Sequence, residues 1–190
     1  GGGSVPAATL EEVYGGHSFE LEHLGAPTLF VDGGSYALRR IQTRTPAEHM
    51  LDGRRYALEV QLLHEPEGAG PHGHRAVGVS VLFDQELEGG SPGFVSKLAS
   101  VAPDATRVAR RLVKDLTFSE IAAALGQSLK EYYRYPGSLT TPPCTEGIAW
   151  FVARRPLPVG EEDVRRFRMT EGDNARPPQP LNGRTVEVIA

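Results

Sequence analysis

The chain has 190 residues, enough for one domain with a substantial core, and a formal net charge of −4. It has no block of basic residues and no apolar run near the roughly 20 residues that a spanning helix needs. These features argue against nucleic acid as a partner and against direct membrane insertion. The 22 glycines and 15 prolines indicate many turns between short strands.

The predicted elements along the sequence favour a mainly β fold of the α+β class. Residues 1–12 are small and polar and are predicted to form an extended arm or a linker before a single domain at 13–190. Alternation of apolar and polar residues and short apolar runs indicate strands. The predicted strands lie near residues 18–22, 36–44, 56–64, 76–83 and 147–152.

Helical segments are predicted in the second half of the chain. Apolar residues recur at helical spacing over 93–102 and 106–114. Further helices are predicted to begin at Phe118 and at Glu161, where three consecutive acidic residues suit the positive end of a helix dipole.

A rigid loop at 135–144 precedes a core strand. Pro136 and Gly137 predict a turn, because proline fixes φ and glycine tolerates positive φ. The Thr-Thr-Pro-Pro run at 140–143 cannot lie inside a helix. The apolar run Ile148 to Val152 predicts a buried strand. Two adjacent hydroxyls held before such a strand suit the wall of a pocket.

The loop sequence Tyr-Pro-Gly-Ser-Leu-Thr-Thr-Pro-Pro-Cys resembles the most distinctive loop of the α-class carbonic anhydrases. The resemblance covers residues 13–188 and is also close at 48–64 and in the last twenty residues. It implies a twisted, largely antiparallel central sheet with short surface helices. Compared with the family pattern, the chain is N-terminally shortened, because a stretch with an aromatic cluster and a Ser-Pro-Ile/Val strand has no counterpart.

The same resemblance implies that all three zinc-ligand histidines are replaced. Tyr36 and Leu38 align with the family segment without a gap, which places its two histidines at Gln42 and Arg44. The third ligand position is Gln61. A primary amide is a poor zinc ligand, and a guanidinium is a permanent cation without a lone pair. The expectation is therefore a pseudoenzyme with no metal and no cofactor.

The residues that surround the zinc site in the family are retained. Glu48, His49, Glu59 and Thr140 occupy matching positions. The resemblance implies that the counterpart of Glu59 orients a ligand histidine and that the threonine hydroxyl donates to the counterpart of Glu48. A buried carboxylate without a cation is costly. We therefore expect Arg44 to take the electrostatic place of zinc and pair with Glu59 or Glu48; the alternative is that Arg44 turns out to solvent.

Other positions match the wall and rim of the family's pocket. These are His17, Val77, Leu139, Thr141 and Trp150. His17 stands where the family has its proton shuttle, and it is interpreted as an exposed polar rim residue. His72 and His74 lie in a Gly-rich loop and are expected to be solvated.

Three functions are compatible with the sequence. The favoured one is a catalytically inactive carbonic-anhydrase-like module that acts as a structural or interaction subunit of a larger assembly. The alternatives are small-molecule or anion binding in the vestigial pocket, and residual carbonate dehydratase activity with a displaced metal. Metal analysis of the purified protein, and detection of a ligand in the pocket, would distinguish these three functions.

Other protein subunits are the expected partners. Without the family's N-terminal stretch, apolar groups and a strand edge at Val13–Glu22 should be exposed, and a second polypeptide is expected to cover them. The alternative is that residues 1–12 fold back over this edge. Cys144 is a second candidate contact, because exported family members often bond a cysteine at this place to one in the absent stretch. An exported or organelle-lumenal location, in or beside a larger complex, is expected.

Overall fold

The computed structural model describes residues 28–68, 73–100 and 116–190, together with the backbone of two earlier strands, β1 and β2. The strands are β1 Thr9–Val13, β2 Ser18–Glu22, β3 Leu29–Val31, β4 Gly34–Arg44, β5 Met50–Leu51, β6 Arg54–Arg55, β7 Leu58–Pro66, β8 Ala76–Asp84, β9 Tyr132–Ser138, β10 Glu146–Ala153, β11 Leu157–Pro158 and β12 Glu187–Ile189. The helices are α1 Gly93–Ser100, α2 Phe118–Leu125 and α3 Glu161–Glu171, with a 3-10 helix at Ser128–Lys130.

One large sheet organises the described part of the chain. Its strand order is β1-β2-β4-β7-β8-β10-β9-β12, with β3 beside β4 and β11 beside β8. Strands β10 and β11 run parallel to β8, whereas the other pairs in the sheet are antiparallel. The short strands β5 and β6 form a separate hairpin. A largely antiparallel sheet with short surface helices confirms the predicted fold class and the five predicted strands.

The two faces of the sheet have different chemistry because successive side chains of a strand alternate. In β7, Leu58, Val60 and Leu62 belong to the large apolar core, whereas Glu59 and Gln61 point to the opposite face. The helices complete that core with buried residues Phe94, Val95, Leu98, Ile121, Leu125, Val164 and Phe167, and Leu116, just before α2, joins them. The other face carries the polar residues that the sequence singled out.

The helices begin and end where local chemistry predicts. The side chain of Thr117 caps α2 by accepting a hydrogen bond from the Glu120 N–H. Helix α3 starts with three acidic residues and ends at Gly172, which adopts a φ of 69°. Helices α1, α2 and α3 confirm three of the predicted helical segments, and the fourth, at 106–114, lies outside the described residues. In the described part of the chain, no helix is long and apolar enough to cross a lipid bilayer.

Two expectations about the strands are wrong. Pro136 and Gly137 do not form a turn but lie inside β9, opposite Ala149 and Ile148 of β10. On the β12 side, β9 is paired only as far as Arg134. Pro136 lies beyond this pairing, so its missing N–H removes no hydrogen bond to β12.

The segment Val13–Glu22 is not one strand but the end of β1 and all of β2, which pair as a hairpin. Residues 9–12 of the predicted arm therefore belong to the sheet. Residues 9–12 thus pair along the β2 edge, as the alternative of a folded-back arm expects for them, and β1 becomes the terminal strand at this side of the sheet.

Trp150 is the bulky residue that two glycines accommodate. A Cβ added to Gly78 of β8 would lie 2.6 Å from two carbons of the Trp150 ring, and one added to Gly137 of β9 would lie 2.8 Å from another. The indole N–H donates to the Ser138 carbonyl over 2.9 Å. Glycine is required at both neighbours because the ring lies flat against their backbones.

This packing predicts that Gly78→Ala destabilises the fold. Two ring-carbon clashes force the indole or the strand to move, and overpacking of this kind costs about 1–3 kcal/mol. The matched control is Gly90→Ala, whose added Cβ meets nothing within 4 Å. Urea unfolding of both variants measures the difference. Equal stability of the two variants would contradict the tight packing of Trp150.

Candidate functional site

Four polar side chains lie together on the sheet face opposite the helices. Gln42 and Arg44 are alternate residues of β4, and they stand directly across from Gln61 and Glu59 of β7. Their exposed fractions are 2%, 1%, 0% and 0%, respectively. Directly opposed residues have Cβ atoms about 5 Å apart, so the three predicted ligand positions converge on one buried point.

Arg44 occupies this point with its guanidinium group. Its Nε donates to Glu48 Oε1 over 3.1 Å, and its Nη2 donates to Gln42 Oε1 over 2.9 Å. A longer contact of 3.4 Å joins Nη2 to Thr140 Oγ1. The ion pair with Glu48 confirms the expected charge pairing, and the burial of Arg44 contradicts the alternative in which it turns to solvent.

Gln61 links the two carboxylates. Its Nε2 donates to Glu48 Oε2 over 2.9 Å and to Glu59 Oε1 over 2.8 Å. Its Oε1 is buried and has no hydrogen-bond partner. Glu48 also accepts the backbone N–H of Arg176, so its two oxygens are held by three different groups.

The residues at this point do not fit a zinc ion. A catalytic zinc site needs three nitrogen, sulfur or carboxylate ligands around an open position. Here the amide oxygen of Gln42 accepts from Arg44, the amide nitrogen of Gln61 faces two carboxylates, and a guanidinium lies between them. Among the residues that the structure describes, no group of three or more His, Cys, Asp or Glu side chains is arranged to hold a metal.

A second chain of hydrogen bonds starts at Glu59. Its Oε1 lies 2.7 Å from His49 Nδ1, and His49 Nε2 lies 2.7 Å from the Tyr135 hydroxyl. The Ser80 hydroxyl donates to Glu59 Oε1 over 2.7 Å. Tyr135 and Ser80 were not predicted as site residues. Ser80 could have been found as the lone hydroxyl inside an apolar strand, because such a group needs a buried partner.

The ionisation of Glu59, His49 and Tyr135 depends on burial and on the contacts among them. Burial opposes ionisation of Glu59, but the charge and hydrogen bonds of His49 outweigh it and lower the pKa of Glu59 to about 2. Burial likewise opposes the charged form of His49, yet the Glu59 carboxylate raises the His49 pKa above its usual value. Burial raises the pKa of Tyr135, with Glu59 acting in the same direction. Each group of the buried His49–Glu59 pair therefore favours the charged form of the other.

This pair predicts a pH dependence of stability. A raised histidine pKa stabilises the fold below the unfolded value of 6.5, and the effect is lost as pH rises through the folded value. The lowered pKa of Glu59 stabilises the fold above pH 4.5, the unfolded value. This stabilisation is lost as pH falls toward the folded value of about 2. His64, whose pKa burial lowers to about 4, destabilises the fold below pH 6.5 and has no effect above it.

The free energy of unfolding should therefore fall between pH 6.5 and 9. Replacement of His49 by glutamine should remove this decline because no imidazole remains beside Glu59. Urea titrations of the parent and His49→Gln at both pH values provide the measurement. An equal decline in the two proteins would show that another group is responsible.

The structure places the remaining predicted pocket residues and Cys144 as follows. Leu139 packs with the cluster that contains Trp150, and Thr140 reaches Arg44. Thr141 lies in the turn, where its carbonyl accepts the Cys144 N–H over 2.9 Å. Cys144 is a half-buried free thiol with a φ of 57°. His17 lies outside the described residues.

Val77 is not at the pocket wall. It packs with Tyr36 and Ala149, whereas its neighbour Ala76 packs with Trp150 on the site face. Successive side chains of a strand point to opposite faces, so Val77 and Ala76 face opposite sides of the sheet.

Of the two loop histidines, His74 lies in the described part of the chain, where it contacts a carboxylate. His74 Nε2 contacts Asp32 Oδ2 over 2.7 Å, and the same carboxylate binds Arg134. His72 lies outside the described residues.

An open cleft of about 1010 Å³ reaches the charge network from one side of the sheet. We name it the β9 cleft, because Tyr133 and residues 135–138 of β9 line it. The hairpin residues Met50 and Leu51 and several residues of the segment 176–186 also line it. Glu48 and His49 are the members of the charge network that it reaches.

Comparison with known proteins gives one consistent relationship. The model of the eukaryotic-type carbonic anhydrase family matches residues 36–190. A carbonic anhydrase of Klebsiella pneumoniae is 33% identical over 174 residues, which cover 90% of this chain and 66% of that protein. The chain thus spans just under two thirds of the length of this curated relative.

Solved structures of the same fold are also similar to this chain. The α-carbonic anhydrase of Photobacterium profundum superposes with a TM-score of 0.79 at 31% identity, covering 96% of this chain and 79% of the other. A dioscorin solved in complex with ascorbate gives a TM-score of 0.77 at 31% identity, covering 96% of this chain and 74% of the other.

Proposed function

The chain belongs to the eukaryotic-type, α-class carbonic anhydrase family, and from this membership we propose that it is a non-catalytic member that works as a structural or interaction subunit of a larger assembly. The observation that carries the proposal is Arg44, buried at the convergence of the former ligand positions and paired with Glu48. A zinc ion supplies an ionised water for attack on CO₂ when three protein ligands hold it. This chain has no such ligand set at that point.

The electrostatics of the site support a stable state without metal. Arg44 and, when protonated, His49 supply two positive charges against the two carboxylates of Glu48 and Glu59. Adding a divalent ion would break this balance, because a +2 and a +1 charge at 4 Å repel by roughly 8 kcal/mol at an effective dielectric constant of 20. The guanidinium therefore takes the electrostatic place of the metal.

The proposal is tested by metal content and hydration kinetics. We expect the purified chain to contain no stoichiometric zinc and to hydrate CO₂ no faster than buffer, with or without added zinc chloride. One zinc per chain, with hydration that a chelator abolishes, would establish instead the alternative of a displaced metal and residual activity.

The partner contacts proposed from the sequence are the Val13–Glu22 region and Cys144. Strand β1 ends the sheet on that side, and a terminal strand is a template for pairing with another chain. Cys144 is a free thiol that a partner cysteine could meet. Native mass spectrometry of the assembly, with and without reductant, tests both contacts: a chain that stays monomeric in its natural extract contradicts them.

A second candidate function is binding of a small molecule in the vestigial pocket. The buried, unpartnered Oε1 of Gln61 favours it, because an acceptor in this position lacks a donor that a ligand could supply. The dioscorin relative, solved in complex with ascorbate, supports the idea of a ligand-binding member of this fold. Calorimetric titration with ascorbate and with bicarbonate, repeated on Gln61→Leu, tests it; heat that is unchanged in the variant would reject this site.

A further inference from the structure

We propose that the β9 cleft binds a small organic acid, with its carboxylate at Arg184 and Arg176 and its apolar body against the exposed aliphatic side chains of the cleft. This position differs from the vestigial pocket, because Gln61 does not line the cleft. Three features of the described residues support the proposal: two arginines without an acidic partner, a guanidinium that is already held in place, and apolar side chains in the same concave surface.

The two cleft arginines differ from the others in the described part of the chain. Nine arginines there lie within ion-pair distance of an Asp or Glu side chain. Of the remaining five, Arg39, Arg55 and Arg75 are exposed, whereas Arg176 and Arg184 are half-buried and line the cleft. Burial raises the cost of an uncompensated charge because less water solvates it. These two positions are therefore where an anion from outside the chain gains most.

Arg184 is held in place by the protein itself. Its Nε donates to the Leu181 carbonyl over 2.8 Å, and its Nη2 donates to the Pro180 carbonyl over 2.7 Å. The guanidinium carbon lies 5.6 Å from the centre of the Tyr135 ring, which is a cation–π contact. A guanidinium has five N–H donors, so most of them stay available within the described residues. A carboxylate could accept from these donors without the entropic cost of ordering a loose side chain.

Arg176 adds a second positive charge beside the same part of β9. Its backbone N–H donates to Glu48 Oε1 over 2.9 Å, and its Nη1 lies 3.4 Å from Ser138 Oγ. Ser138 follows Tyr135 by three residues, which is about 10 Å along an extended strand. Both guanidiniums thus border one short stretch of β9, and together they make the local potential favourable to an anion.

The acidic residues that line the cleft do not cancel these charges. They are Glu48, Asp52 and Glu146. The carboxylate of Glu48 is already paired with the buried Arg44. Asp52 and Glu146 are exposed, where water and salt screen a charge more strongly than they screen a half-buried guanidinium. The net preference of the cleft is therefore for a negative group.

Exposed apolar side chains identify the class of acid. Of the seven large hydrophobic residues that are exposed in the described part of the chain, Met50, Leu181 and Val186 line the cleft, with exposed fractions of 40%, 55% and 39%. Leu181 and Val186 flank Arg184 in the chain. An inorganic anion would leave these side chains in water, whereas an aliphatic body attached to the carboxylate would bury them.

The experiment is a calorimetric titration of the full 190-residue chain with octanoate, octan-1-ol and inorganic phosphate. We expect octanoate to bind at one site per chain with a Kd below about 1 mM. Replacing Arg184 by glutamine should weaken this binding at least tenfold, and Arg176→Gln should weaken it by a smaller factor. Arg39→Gln is the matched control, because it removes the same charge from an exposed arginine outside the cleft. Arg184→Lys, which keeps the charge but loses the planar fork, should bind with intermediate affinity.

Four results would overturn the proposal. Octanoate that does not bind saturably would show that the cleft is not a ligand site. An equal loss in Arg184→Gln and Arg39→Gln would assign any binding to net charge alone. Octan-1-ol that binds as tightly as octanoate would mean that the arginines do not recognise the carboxylate. Phosphate that binds as tightly as octanoate would exclude a role for the apolar side chains. Circular dichroism of each variant confirms that the protein is folded.

Discussion

Replacing Gln42, Arg44 and Gln61 together with histidine should create a zinc site in this protein. The three positions already converge, since Gln42 lies across from Gln61 and alternates with Arg44 on one face of β4. Glu59 is positioned to orient an imidazole at position 61, because it accepts from the amide there now. We expect one zinc per chain with a Kd below about 1 μM, near 8 kcal/mol of binding free energy, and at best weak hydration of CO₂.

The matched control is the double variant Gln42→His with Gln61→His. It offers two imidazoles but keeps the guanidinium, whose repulsion of a divalent ion should prevent binding at the same concentrations. Isothermal titration with zinc, in parallel with circular dichroism to confirm folding, compares the two. A folded triple variant that binds zinc no better than the double variant would mean that the three side chains do not converge.

Arg44→Met should be among the most destabilising single substitutions in the chain. Methionine has a similar length but no charge, so Glu48 would lose its cationic partner while its side chain stays about 6% exposed. Removing one partner of a buried ion pair costs about 3–5 kcal/mol. The free energy of unfolding in urea measures the loss.

Two further variants serve as comparisons for this measurement. Arg40→Met breaks a half-exposed pair with Glu65 and should cost less than about 1 kcal/mol. The double variant Arg44→Met with Glu48→Gln should recover part of the loss, because no unpaired charge remains. If Arg44→Met were no more costly than Arg40→Met, the Arg44–Glu48 pair would not be the structural substitute for a metal.

The central features of the site were predicted through the family resemblance, which placed the three ligand positions at Gln42, Arg44 and Gln61. The structure agrees with strand alternation in bringing them to one face of β4 and β7. The pairing of Arg44 with a carboxylate follows from the cost of a buried charge. The main strands and three helices were predicted from local patterns, and the sheet that joins them was implied by the resemblance.

The errors concern single positions. The family resemblance placed Val77 at the pocket wall, whereas the structure has its neighbour Ala76 packing with Trp150. Pro136 and Gly137 favour a turn by themselves, and only the neighbouring Trp150 ring explains a glycine inside the strand.

Tyr135 was overlooked for a different reason. Its role depends on His49, 86 residues away in the chain, and no local signal predicts that contact. The β9 cleft is likewise formed by segments far apart in sequence, the hairpin at Met50 and the residues near Leu181. Such sites need the three-dimensional structure.

The central claim is that a guanidinium occupies the place of the metal, and anomalous X-ray diffraction at the zinc edge tests it most directly. Crystals of the parent chain grown with zinc chloride should show Arg44 Nε about 3.1 Å from Glu48 Oε1 and no anomalous peak among residues 42, 44 and 61. A zinc peak at that point, with Arg44 displaced from Glu48, would contradict the account.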